Sequence, residues 1–145
     1  MKTVKVCGYK NMKGQKISQN GNEFTVKPIV PQEDVTQCRV NFVEVEPGNY
    51  AYGYHYHEAD EEVFYVISGA GVVRTTKGDV TVNAGEAIIL PAGPDGAHVM
   101  RNGSATEKLV YIDFDTNNSP EIVHFPDINK IMAYGPFSSG MYDVK

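Results

Sequence analysis

The chain has 145 residues, 41% hydrophobic and 21% charged, with a formal net charge of −5. That length suits one domain, able to bury roughly 68–70% of the surface its unfolded form exposes and so to build a core without disulfides. No basic stripe is present to neutralise phosphates and no run approaches the ~18 apolar residues of a membrane span, so no nucleic acid and no membrane is expected as partner.

In chain order, residues 1–35 read as a polar leader with possible strands that packs against the rest of the chain. Within it, Asn11–Asn22, rich in Lys, Gln, Asn and Gly, reads as a loop. Met1–Lys10 carries three lysines and no long apolar stretch, which is not the pattern of a secretory signal. Cys7 and Cys38 are therefore expected as free thiols in a cytoplasmic protein.

Residues 36–114 form the dense strand region. Gln37–Glu46 reads as a strand, Pro47-Gly48-Asn49 as a turn, and Tyr50–His57 as the next strand. Glu62–Ser68 comes next, closed by Gly69-Ala70-Gly71. Gly71–Thr76 and Val80–Asn83 flank a Lys77-Gly78-Asp79 turn, a hairpin signal. Ala87–Leu90, Ala97–Asn102 and Lys108–Phe114 complete the set. Short strands with frequent turn residues and no strong helical period indicate an all-β sandwich or barrel. Residues 115–145 hold Pro120, Pro126 and Pro136 and read as too irregular for regular pairing. Their apolar residues, among them Val123, Phe125 and Ile131, imply that this tail packs on the barrel.

The sharpest feature is Tyr50-Ala51-Tyr52-Gly53-Tyr54-His55-Tyr56-His57. On a strand side chains alternate faces, so His55 and His57 point one way with Ala51 and Gly53, and the four tyrosines point the other. Two imidazoles two residues apart lie about 6–7 Å apart at Cα, close enough to hold one metal ion at ~2.0–2.1 Å. The ordinary alternative is a pair of surface or core histidines. The tyrosine face reads as sheet packing or, together with the leader, as the interface of a homodimer.

The spacing then becomes recognisable. His55-Tyr56-His57, four residues, Glu62, six residues and Gly69 resembles the first motif of the cupin superfamily. Gly85, five residues, Pro91-Ala92-Gly93, then His98, three residues and Asn102 resembles the second. The segment from Pro91 to Phe114, with Ser119-Pro120-Glu121 and Phe125-Pro126-Asp127, also looks like a group of bacterial single-domain cupins. The resemblance implies a double-stranded β-helix, the jelly-roll or cupin barrel. Carried over position by position, it implies one divalent metal ion on His55, His57, Glu62 and His98.

Three departures from the pattern stand out. Gly48 is one residue further from His55 than usual, the loop from Gly93 to His98 is two residues longer, and Glu61 competes with Glu62. The distance to Gly69 favours Glu62. His124, in the tail, reads as a surface or packing residue.

If Glu62 and His98 point inward, alternation brings Phe64, Val66 and Met100 with them as an apolar pocket lining. Tyr65 and Arg101 then point outward. Arg39 and Arg74 are possible anchors for an anion, Asp95 is a loop residue with a weak claim to acid–base work, and Asn102 ends a strand. No catalytic residue is assigned.

Such a donor set suits Fe, Mn, Ni, Zn or Cu, and the sequence does not choose among them. An open coordination position admits a small-molecule ligand or substrate. The expectation is therefore a metal-dependent enzyme of oxygenase, isomerase or lyase type acting on a small organic molecule. The alternative is a non-catalytic small-ligand binding or sensor domain.

Overall fold

The computed structural model describes residues 3–19 and 21–145; Met1, Lys2 and Asn20, all in the segment read as the leader, lie outside the described residues. Alternating apolar residues and frequent turns give strands almost throughout. The leader supplies β1 (Gln15–Gln19) and β2 (Asn22–Pro28). The middle region supplies β3 (Cys38–Val45), β4 (Tyr50–His57), β5 (Glu62–Ser68), β6 (Ala70–Thr75) and β7 (Gly78–Asn83). It continues with β8 (Ala87–Leu90), β9 (His98–Asn102) and β10 (Leu109–Thr116). The last strands are β11 (Glu121–Phe125), β12 (Lys130–Tyr134) and β13 (Ser139–Asp143).

The strands form two sheets, β1-β2-β3-β10-β5-β8 and β13-β12-β11-β4-β9-β6-β7, with antiparallel pairing throughout. This is the all-β architecture that the strand pattern implied, in the jelly-roll form that the family resemblance implied. Two expectations change. Part of the segment read as a loop is β1, which pairs with β2 from Gln15↔Val26 to Gln19↔Asn22. The segment read as an irregular tail is a β-meander whose first strand joins β4 at Val123↔His57. Its prolines fall where regular pairing does not need their missing N–H: Pro126 opens a 3-10 turn and Pro120 and Pro136 precede strands.

The core lies between the sheets. Val43, Val45, Phe64, Val66, Leu109 and Tyr111 from one sheet meet Ala51, Val73, Val82 and Met100 from the other. Burying each of the larger aliphatic or aromatic side chains stabilises the fold by about 1.5–3 kcal/mol. Cys7 and Cys38 are both free, as expected.

Candidate functional site

β4 ends on His55, Tyr56 and His57, β5 begins at Glu62, and β9 begins at His98. β4 and β9 are paired with His55 opposite His98, and β5 faces them from the other sheet. The strand register thus brings four polar side chains, distant in sequence, to one end of the barrel.

The Glu62 carboxylate sits among the imidazoles. His98 Nε2 is 3.3 Å from its Oε2, and His57 Nε2 and His55 Nε2 are 3.6 and 3.8 Å from its Oε1. The far nitrogens of His55 and His98 are occupied by backbone carbonyls. Nδ1 of His55 lies 2.9 Å from the Gly53 carbonyl and Nδ1 of His98 lies 2.9 Å from the Gly96 carbonyl. A carbonyl only accepts, so each Nδ1 carries the proton and each Nε2 offers a lone pair to the centre. His57 Nδ1 faces Glu121 Oε1 at 3.7 Å.

His55, Glu62 and His98 present ligand atoms within 4.8 Å of one another. His57 also belongs to a second group with Asp60 and Glu121. His98 Nε2 is buried with no hydrogen-bond partner. Leaving a buried polar nitrogen unpaired costs about 1–3 kcal/mol, and the lone pair faces the other donors. Three imidazoles with one carboxylate fit a divalent transition metal by donor chemistry.

The electrostatics follow from burial. Burial, with smaller contributions from His55 and His57, lowers the His98 imidazole to about 4 against the upward pull of Glu62. For His55, burial works against the charged form, but Glu62 outweighs it and the net direction is upward. Burial alone would raise Glu62, yet its imidazole neighbours hold it well below the usual carboxylate range.

Glu62 is buried and Glu61 is exposed, so the carboxylate inside the barrel is Glu62. Phe64 packs edge-on against His98 at 5.4 Å, while Val66 and Met100 are buried in the core. Arg101 pairs with Asp79 on the surface. Arg74 forms a two-pronged ion pair with Asp127 and covers the Tyr54 ring, and Arg39 lies near Tyr134, so neither reaches the histidines. Asp95 is exposed on the 3-10 turn Pro94–Gly96. His124 stacks on Tyr56 and meets Glu58, away from the centre. Asn102 is bonded to the Val45 and Glu107 carbonyls and fixes a strand end.

The tyrosine alternation holds only in part. Tyr52 has φ 66° and Gly53 φ 97°, and the β4–β9 register shifts between Ala51 and His55. This irregular stretch turns Tyr52 inward, against Phe24 at 4.8 Å and near His55 at 6.4 Å. A cavity of about 300 Å³ runs beside it, bordered by Tyr52, Gly53, Arg74, Phe125 and Asp127. Phe125 also stacks on His55 at 5.9 Å, so Tyr52 and Phe125 stand between the cavity and the imidazole.

Sequence reasoning missed three carboxylates. Asp113 and Asp115 on β10 point inward beside Glu62 and Tyr52. Burial raises both, and mutual repulsion raises Asp115 further, so the pair keeps a proton at neutral pH. The signal was available: Asp113 and Asp115 share parity with Leu109 and Tyr111, the core face of the strand. Glu121 is the third. Its carboxylate accepts the backbone N–H of Glu58, Ala59 and Asp60 at 2.9, 3.1 and 3.0 Å. These residues form the loop that joins His57 to Glu62. No local pattern in the sequence pointed to that contact.

Two sheets closed over a buried histidine–carboxylate centre define a small jelly-roll barrel protein. The chain belongs to the cupin family: the family model for the cupin domain matches residues 41–115.

Solved structures agree on the fold. A candidate sugar phosphate isomerase from Acidithiobacillus ferrooxidans superposes with TM-score 0.82 at 23% identity, over 92% of this chain and 86% of that one. A sugar phosphate isomerase of the cupin superfamily from Silicibacter pomeroyi gives TM-score 0.84 at 18% identity, over 96% and 92%. A predicted oxalate decarboxylase from Thermotoga maritima gives TM-score 0.70 at 22% identity, over 79% and 100%. Among curated proteins none matches the sequence. No helix among the described residues is long and apolar enough to cross a membrane.

Proposed function

We propose that the protein is a metal-dependent enzyme that binds one divalent ion through His55, His57, Glu62 and His98 and acts on a small organic molecule. The observation that carries this reading is the buried, unpartnered Nε2 of His98, turned toward Glu62 while its Nδ1 is held by the Gly96 carbonyl. Bound there, such an ion supplies a Lewis acid with open positions for a substrate oxygen or water. The chain's own residues set the rest: Gly53 and Gly96 fix the tautomers of His55 and His98, and Phe64 and Phe125 exclude water from the rings.

The buried Asp113–Asp115 pair beside Glu62 favours turnover over simple binding, because isomerase and lyase chemistry both move a proton and carboxyl groups can carry it. A non-catalytic binding domain is the alternative reading. Sugar phosphates and oxalate, named for the structural neighbours, are the first substrates to assay.

Protein purified without chelator or affinity tag should carry close to one transition-metal equivalent per chain by elemental analysis, and His57→Ala or His98→Ala should lower occupancy several-fold. Unchanged occupancy in both variants would remove the ligand assignment. For catalysis, Asp115→Asn should keep the metal and lose product formation.

A further inference from the structure

Behind His57, on the side away from Glu62, two buried polar atoms belong to no hydrogen bond: His57 Nδ1 and Asp60 Oδ2. Asp60 lies in the loop between β4 and β5 and is 1% exposed. His57, Asp60 and Glu121 each present a nitrogen or oxygen within 4.8 Å of the other two. A buried polar atom left alone costs about 1–3 kcal/mol. Two of them in one cluster call for a partner that serves both.

The surrounding hydrogen bonds decide what that partner is. Asp60 Oδ1 is pinned by three donors: the Asn118 backbone N–H at 2.6 Å, the Asn118 side-chain amide at 2.9 Å and the Thr116 hydroxyl at 3.3 Å. They fix the carboxylate and leave Oδ2 free to accept. Glu121 already accepts the backbone N–H of Glu58, Ala59 and Asp60, and its Oε1 is 3.7 Å from His57 Nδ1, too far for a direct hydrogen bond. His57 Nε2 faces the other way, 3.6 Å from Glu62 Oε1. A neutral imidazole that offers its lone pair at Nε2 carries its proton at Nδ1. The shared partner must therefore accept from Nδ1–H and donate to a carboxylate. A metal cation accepts no hydrogen bond, whereas a water molecule does both.

We infer that one internal water bridges His57 Nδ1 to Asp60 Oδ2, and that Asp60 is thereby a positioning residue for His57. The water accepts from Nδ1–H, donates one hydrogen to Asp60 Oδ2 and turns the other toward Glu121 Oε1. That gives it about three hydrogen bonds, the usual number for a buried water, and fills a polar gap too wide for direct contact. Two carboxylates behind the ring favour the Nδ1–H tautomer, which keeps the Nε2 lone pair for a metal ion. The inference rests on His57 being a ligand of the proposed ion, but the tautomer itself belongs to the metal-free chain. It also explains how the three rings come to point their lone pairs at one centre. His55 and His98 are set by carbonyls two residues before them, and His57, which makes no such bond, is set by the loop that follows it.

Long-range proton–nitrogen-15 correlation spectra of the chelator-treated full chain, at a pH where the imidazoles are neutral, read the tautomer of each ring. Wild-type His57 should be in the Nδ1–H form, with a cross-peak from that proton to a bound water. Asp60→Asn is the sharpest variant. Because three donors pin Oδ1, the amide oxygen takes its place and the NH2 group replaces Oδ2, turning an acceptor into a donor. The Nε2–H fraction of His57 should rise several-fold while His55 and His98 keep their tautomers, and metal affinity should fall about 10–100-fold. Glu61→Gln, at the exposed neighbouring position, should change neither. Should Asp60→Asn misfold, the wild-type spectrum still decides. Wild-type His57 in the Nε2–H form, an Nδ1–H with no water cross-peak, or a folded Asp60→Asn with His57 unchanged would each overturn the inference. A wild type that binds no metal yet shows the Nδ1–H form and loses it in Asp60→Asn would remove the metal reading and support the bridge.

Discussion

Two devices set the histidines at the centre. His55 and His98 lean on carbonyls two residues before them, a contact built into the local backbone. His57 Nδ1 makes no hydrogen bond and instead faces the Glu121 carboxylate at 3.7 Å, from a strand more than sixty residues away in sequence. Glu121→Gln keeps the size of the side chain but removes the charge that three backbone N–H groups and the imidazole share. It should weaken metal binding by about 10–100-fold, as loss of an outer-shell partner commonly does, read by competition with a chromogenic chelator.

Protonation is governed by the same residues. The metal-free protein holds His98 near 4 where the unfolded chain titrates at 6.5, so acid favours unfolding. Stability from His98 is full above pH 6.5 and falls as pH drops toward 4. Glu62, held low, loses its contribution as pH falls through and below its ordinary 4.5. His55 is raised, so its contribution is full below 6.5 and fades as pH rises past its folded value. On acidification from pH 6.5 toward 4 the urea midpoint of chelator-treated wild type should therefore fall further than that of His98→Gln, a difference from which the opposite pull of the raised Asp113 and Asp115 cancels.

At the scale of elements, two short segments position the centre. The irregular stretch of β4 places Gly53 at φ 97°, a backbone region that favours glycine, although a Cβ there would meet nothing. Gly53→Ala should cost about 1–3 kcal/mol from backbone strain alone, seen as a lower denaturant midpoint. The loop before β9 is tighter. A Cβ on Gly96 would collide with the Pro91 carbonyl, which is backbone and cannot turn aside. Gly96→Ala should displace the loop that orients His98, with a larger stability loss than Gly53→Ala and reduced metal content; equal or smaller loss would argue that the loop relaxes freely.

Strand positions from β3 to β10 were legible because a period of two and glycine-rich turns are local signals. β1 and the β11–β13 meander were not. Their sequences are polar or interrupted by proline, and their strand character rests on pairing with β2 and β4.

At the scale of the molecule, metal binding and folding are linked. An ion at 100-fold its Kd should stabilise the chain by about 2.7 kcal/mol, so adding a chelator should lower the melting temperature and re-adding metal should restore it. A chain with no site would show neither change.

The sequence by itself determined the all-β barrel and named His55, His57, Glu62 and His98, since strand alternation and motif spacing are written along the chain. Tertiary structure alone decided that Asp113, Asp115 and Glu121 stand beside them and that Tyr52 turns inward. Those outcomes depend on which strands become neighbours and in what register, and cross-strand proximity leaves no mark in any one stretch of sequence.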